Sequence, residues 1–132
     1  MSSAETIKAN QPQVIAYLEE QSALVRSGGN WNCLAAAREL ASLLVSEGRR
    51  PWIARLRKTE MHPTHVFHGP LIPRVEGVAA TWTTHYVCCC DGNAYDPLVG
   101  EVLPIETYSL KVFGEQIALE VFAEPGTLHA AE

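Results

Sequence analysis

No stretch of this 132-residue chain approaches the ~18–20 consecutive apolar residues that a membrane-crossing helix needs. Runs of positive charge are also scarce: none is longer than Arg49-Arg50, and 15 acidic residues against 10 basic ones give a net charge of −5. A nucleic-acid partner or an anionic membrane surface is therefore not expected. The opening MSSAETIKANQPQ lacks the basic-then-apolar pattern of a secretion signal. Residence in the cytoplasm, or export by a route that needs no cleavable signal, is the expectation. CxxC and HExxH spacings are missing, as are repeats and low-complexity tracts, and no metal or cofactor is expected.

What is present is an ordinary globular composition, 47% hydrophobic and 19% charged. The length suits a single domain over residues 1–132 that buries a core without metals or disulfides, with a polar, flexible segment at 1–10. Four cysteines do not form a disulfide framework. Cys88, Cys89 and Cys90 are adjacent on an expected strand, where neighbours point to opposite faces and cannot be bridged without strain. Free thiols in a reducing compartment are expected.

Two helices open the chain. Pro12 suits a first helical turn, and Val14, Ile15, Leu18, Ser22 and Val25 keep helical spacing up to the turn SGGN at 27–30. A second helix starts from an Asn30 or Asn32 cap, runs through CLAAARELASLLVSE and stops at Gly48. Its wide, alanine-rich apolar face (Leu34, Ala37, Leu40, Ala41, Leu44, Val45) suggests burial against a sheet. Strands are then expected at 51–58, 83–90, 93–100 and 116–123. Residues 59–80, with three prolines, read as a long loop holding at most a short strand at THVFH. Helices first and strands after describe an α+β domain with helices segregated against an antiparallel sheet.

Between two of those strands lies Asp91-Gly92, the preferred composition of a two-residue hairpin turn. Pairing outward from it matches Cys90 with Asn93 and sets His85 opposite Leu98. Asp96 then falls two residues from that partner on the same face, near enough for its side chain to meet that of His85. Asp91 is six residues along the strand from His85, roughly 20 Å away, and is a poor partner. Cys89 shares the face of His85, while Cys88 and Cys90 point the other way as small buried hydrophobes.

Cys33 opens the second helix. A thiol there faces unpaired backbone N–H groups and the positive end of the helix dipole, which favour thiolate and can hold an oxyanion. An imidazole to take the thiol proton and a carboxylate to orient that imidazole complete a nucleophilic set, and His85 and Asp96 are the types required. The alternative on these grounds alone is a buried structural cysteine at a glycine-rich turn.

NCLAAARELASLL and HYVCCCDGNAYDPLVG bring a family into view. A cysteine opening an alanine-rich helix, then His-x-Val on one strand and Asp-Pro-x-x-Gly on the next (His85, Val87, Asp96, Pro97, Gly100), resembles the papain-like cysteine peptidase superfamily. Its bacterial branches look most similar: bacteriocin-leader-processing peptidases, transglutaminase-like proteins and papain-fold toxin domains. The resemblance covers about Asn30 to Gly100. It implies a papain-like fold in which N-terminal helices, one carrying the cysteine at its start, pack on an antiparallel sheet. It also implies Cys33 as nucleophile, His85 as general base and acid, Asp96 as orienter, and amide chemistry on a protein or peptide through an acyl-thioester. Peptidase, deamidase and transglutaminase share that first half-reaction. One departure is plain. Such peptidases commonly carry a glutamine shortly before the cysteine to complete the oxyanion hole, whereas here Ser27 stands six residues before Cys33, and either of the nearest amides, Asn30 and Asn32, or the backbone N–H groups alone, is expected to take that place.

His62, His65 and His68 are spaced three apart, which alternates faces on a strand, and Pro63 argues against a helix. They are read as loop residues rather than a zinc set, with His65 as a substitute base. Trp31 and Trp82, near Cys33 and His85 in sequence, either wall a substrate cleft or belong to the core.

Overall fold

A computed structural model describes residues 11–28, 31–62, 64–78 and 81–124, without the side chains of 60–62 and 65–68. The expected flexibility of residues 1–10, and Asn30, lie outside the described residues. Helix α1 spans Pro12–Arg26, with proline in its first turn where a missing N–H costs nothing. Helix α2 spans Cys33–Ser46; of the two candidate caps, Asn32 takes the role, its side chain accepting from Ala35 N at 3.0 Å. Strands β1 (Trp52–Leu56), β2 (Lys58–His62), β3 (His65–Gly69), β4 (His85–Cys90), β5 (Asn93–Asp96) and β6 (Glu101–Pro104) follow, then helix α3 (Ile105–Phe113) and strand β7 (Glu120–Ala123).

The main sheet is antiparallel, in the order β6-β5-β4-β1-β7, and its two faces are buried differently. Leu18 and Val14 of α1, with Leu40, Ala41 and Leu44 of α2, pack on Ile53, Cys88, Cys90 and Tyr95. The opposite face (Ala54, Leu56, Val87, Cys89, Ala94) lies under Tyr108, Val112 and Phe113 of α3 and under Leu71 and Leu98. Alternation along β4 thus divides the three cysteines as expected, Cys89 to one side and Cys88 and Cys90 to the other. All four cysteines are free thiols. The fold is α+β with helices on both faces of the sheet, where the sequence reading had them on one.

Two departures concern elements. The segment read as a loop with at most a short strand at THVFH does carry that strand, as β3, but within a separate hairpin in which β2 pairs with it from Lys58↔Gly69 to His62↔His65. Residues 101–113, which lie between two of the expected strands and carried no element in that reading, form β6 and α3. Proline at the N-cap, Glu106 in the first turn, Lys111 in the last and Gly114 in the left-handed conformation at the end mark that helix.

The β4–β5 hairpin pairs Cys90↔Asn93, Cys89↔Ala94 and Cys88↔Tyr95, the register set by a turn on Asp91-Gly92. Both turn residues have positive φ, 52° and 79°, as a primed hairpin turn requires. The ladder stops there, so His85 is not paired with Leu98; it pairs with Leu56 of β1. Asp96 instead starts a turn in which its carbonyl accepts from Val99 N and Gly100 N, and Pro97 supplies no ladder donor.

Gly100 closes that turn at φ +72°, and a Cβ there would stand 2.9 Å from Ser22 Oγ and 3.2 Å from Ser22 Cβ of α1. Ser22 Oγ in turn accepts from Arg26, which also donates to Leu98 O at 3.4 Å. Gly100→Ala should therefore destabilise the protein by roughly 2–3 kcal/mol, from left-handed strain and overpacking together. A chemical-denaturation midpoint reads this, and a change below about 0.5 kcal/mol would contradict it.

Candidate active site

The start of α2 and the start of β4 come together at one end of the sheet. Cys33, the first residue of α2, is 9% exposed, and His85, the first residue of β4, is fully buried with Asp96. His85 Nε2 lies 2.9 Å from Asp96 Oδ2. A carboxylate only accepts, so the ring proton on that side belongs to Nε2. The other nitrogen, Nδ1, is buried with no partner of full hydrogen-bond geometry, which leaves it as the nitrogen available to the Cys33 thiol.

The electrostatics of the two groups are coupled. Burial alone would raise the Cys33 thiol, but the hydrogen bond and charge of His85, helped by the Tyr86 backbone, outweigh it even against Asp96, and the thiol sits below its usual value. Burial would likewise lower His85, yet the charge and hydrogen bond of Asp96, then the thiol, raise it to about 10. Both directions work towards a thiolate beside an imidazolium.

The strand cysteines behave in the opposite way. Burial raises Cys88 well above its usual value, Cys89 to about 12, and Cys90 as well. Iodoacetamide near neutral pH should therefore alkylate Cys33 faster than any of the three, by the widest margin over the fully buried Cys88 and Cys89. Thiolate fraction falls about tenfold per unit of pKa, and the lower nucleophilicity of an acidic thiolate offsets about half of that. Peptide mapping of the modified folded protein gives the ratio, and equal labelling would contradict the assignment of Cys33.

Three aromatic rings enclose the imidazole. Trp82 lies 5.6 Å from it, Phe113 5.7 Å and Trp31 6.1 Å, centroid to centroid, and the two tryptophans meet edge-to-face at 5.9 Å. Trp82 is fixed by a two-way backbone bridge to Leu71. Trp31 Nε1 is buried without a hydrogen-bond partner among the described residues. Trp31 and Trp82 are thus both in the site, half-buried and against the ring.

Asp96 is held from three sides. Oδ1 accepts from Leu98 N at 2.9 Å, and Oδ2 accepts from Tyr108 Oη as well as from His85. Tyr108 is the residue that sequence reasoning missed. Its signal was the helix around it, framed by Pro104, Glu106 and Gly114.

Asn32 is placed beside Cys33, with its carbonyl oxygen committed to the cap of α2. Ser27 terminates α1 and donates to Leu24 O at 2.9 Å, so its hydroxyl serves a helix end. Asn30 and the side chains of His62, His65 and His68 lie outside the described residues. Comparison with family models, with curated proteins and with solved structures returns no match for this chain.

Proposed function

We propose that the protein is a papain-like, cysteine-dependent hydrolase or acyltransferase that acts on an amide bond of a protein or peptide. The observation that carries this reading is the buried His85–Asp96 pair, whose free ring nitrogen is the one left for the Cys33 thiol at a helix N-terminus, with the thiol lowered and the imidazole raised. Metal or cofactor chemistry is not invoked.

In the first half-reaction the Cys33 thiolate attacks the amide carbon, and the carbonyl electrons move onto oxygen. Asn32 takes the amides of Ala35 and Ala36, so the first amides of α2, those of Cys33 and Leu34, are the donors left for that oxyanion in place of a glutamine. The His85 imidazolium gives its Nδ1 proton to the leaving nitrogen, the C–N bond breaks, and an acyl-thioester remains. In the second half-reaction neutral His85 takes a proton from water or from an acceptor amine as that group attacks the thioester, and the thiolate leaves. Asp96 holds the Nε2–H throughout. Turnover should decline as pH rises through about 10, where the imidazolium that serves as acid is lost.

A panel of peptides and glutamine-containing proteins, each with and without an amine acceptor, tests this. Cleavage, conversion of glutamine to glutamate, or amine incorporation would support the reading and name the acceptor. One observation favours a second reading, a non-catalytic papain-like binding or adaptor domain: Cys33 is only 9% exposed and the ring beside it is wholly buried. A panel without product or adduct, together with a partner bound equally well by wild type and Cys33→Ala, would favour that reading.

A further inference from the structure

Tyr108 has no assigned part in the chemistry, yet its hydroxyl occupies the same carboxylate oxygen that orients the histidine. It is fully buried on α3, an element that also brings Phe113 against the His85 ring. We propose that Tyr108 is a positioning residue: by donating to Asp96 Oδ2 beside His85 Nε2, it holds the carboxylate in line with the ring, so that His85 retains its proton and Cys33 its negative charge. This rests on the Cys33–His85–Asp96 reading and extends it to a fourth side chain.

The physical case starts from a carboxylate that solvent does not reach. Such a group persists as an anion only if hydrogen-bond donors replace water. Asp96 has three: Leu98 N on Oδ1, and His85 Nε2 and Tyr108 Oη on Oδ2. The backbone donor cannot be removed by a side-chain change, and His85 is the group being served, so the phenol is the adjustable member. Other titratable groups acting on it are Cys89 of β4 and Cys33 of α2, while Glu106 and Lys111 of α3 are exposed to solvent. Burial, then Asp96, hold the phenol well above its usual value, so it stays a donor across the working range.

Losing the phenol hydroxyl has a definite sign. Without the phenol donor the carboxylate is free to turn away from Nε2, and the imidazolium loses the contact that keeps its proton. The Cys33 thiolate then loses its counter-ion, and its pKa rises.

The test uses the pH profile of Cys33 alkylation by iodoacetamide, which needs no substrate. In Tyr108→Phe the acid limb should move up by about one pH unit or more, the scale of a hydrogen bond to a charged group. A slower rate with an unmoved limb would mean that Tyr108 only packs, and would overturn the proposal. Should Tyr108→Phe fail to fold, 3-fluorotyrosine placed at position 108 alone keeps the ring and makes the hydroxyl a stronger donor. Its limb should move down, and an unmoved or raised limb would overturn the proposal equally. If wild-type Cys33 is no more reactive than Cys88, Cys89 and Cys90, the triad itself fails and the role of Tyr108 with it. A fast Cys33 with an unshifted profile removes Tyr108 alone.

Discussion

Cys33→Ala should abolish every amide-cleaving or acyl-transfer activity of the protein while leaving its fold in place. No other cysteine can substitute. Cys88 and Cys90 face the α1–α2 core, Cys89 faces the core beneath α3, and all three are fully buried with thiols raised by that burial. The substitution replaces one small side chain by another at the first position of a helix whose cap, Asn32, is untouched. Stability should therefore change by no more than about 1 kcal/mol, the range of conservative changes away from a cavity. Turnover and thermal denaturation measured side by side separate loss of the nucleophile from loss of fold. Residual activity near the wild-type level would mean that the chemistry lies elsewhere.

The second large effect is on stability. Asp96→Ala leaves a buried imidazolium without its counter-ion and strands two further donors, Tyr108 Oη and Leu98 N. Breaking a buried pair in this way costs about 3–5 kcal/mol, which in a domain of this size lowers Tm by roughly 10–20 °C. Asp96→Asn keeps the shape and an acceptor oxygen, so its loss should be smaller. Its activity should also fall less than that of Cys33→Ala, because the side chain orients the ring and does not bond to substrate. Calorimetry of the pair of variants reads the difference. An Asp96→Ala protein as stable as wild type would mean that His85 is neutral in the folded state.

The site was legible in the sequence because short-range rules set it. Asp91-Gly92 has the composition of one turn type, that turn dictates the register, and a period of two then fixes which side chains share a face. From those facts alone His85 and Asp96 had to approach, although Asp96 reaches the ring from the end of β5, where it pairs with Glu101 of β6 and the ladder to β4 has already stopped. Cys33 was legible for a similar reason, since asparagine followed by an alanine-rich run marks a helix start. Placement of α3 over the sheet follows no such local rule. Its caps are visible in Pro104 and Gly114, but the nine residues between them carry both apolar and polar types, and only packing decides that Tyr108 turns inward onto Asp96. Of the β2–β3 hairpin only the strand at THVFH was legible; β2 was hidden because prolines and histidines made the rest of 59–80 resemble a loop. The closeness of Trp31, Trp82 and Phe113 around the imidazole depends on three elements distant in sequence, and periodicity carries no information about it.

The central claim is that Cys33 forms a covalent bond to an acyl group. Intact-mass spectrometry after brief incubation with the substrate panel, quenched in acid to preserve a thioester, tests it most directly. The account predicts an adduct with the mass of the acyl fragment, mapped to Cys33, lost on hydroxylamine treatment and absent from Cys33→Ala. Product formation with no adduct under any quench, or an adduct that persists in Cys33→Ala, would contradict it.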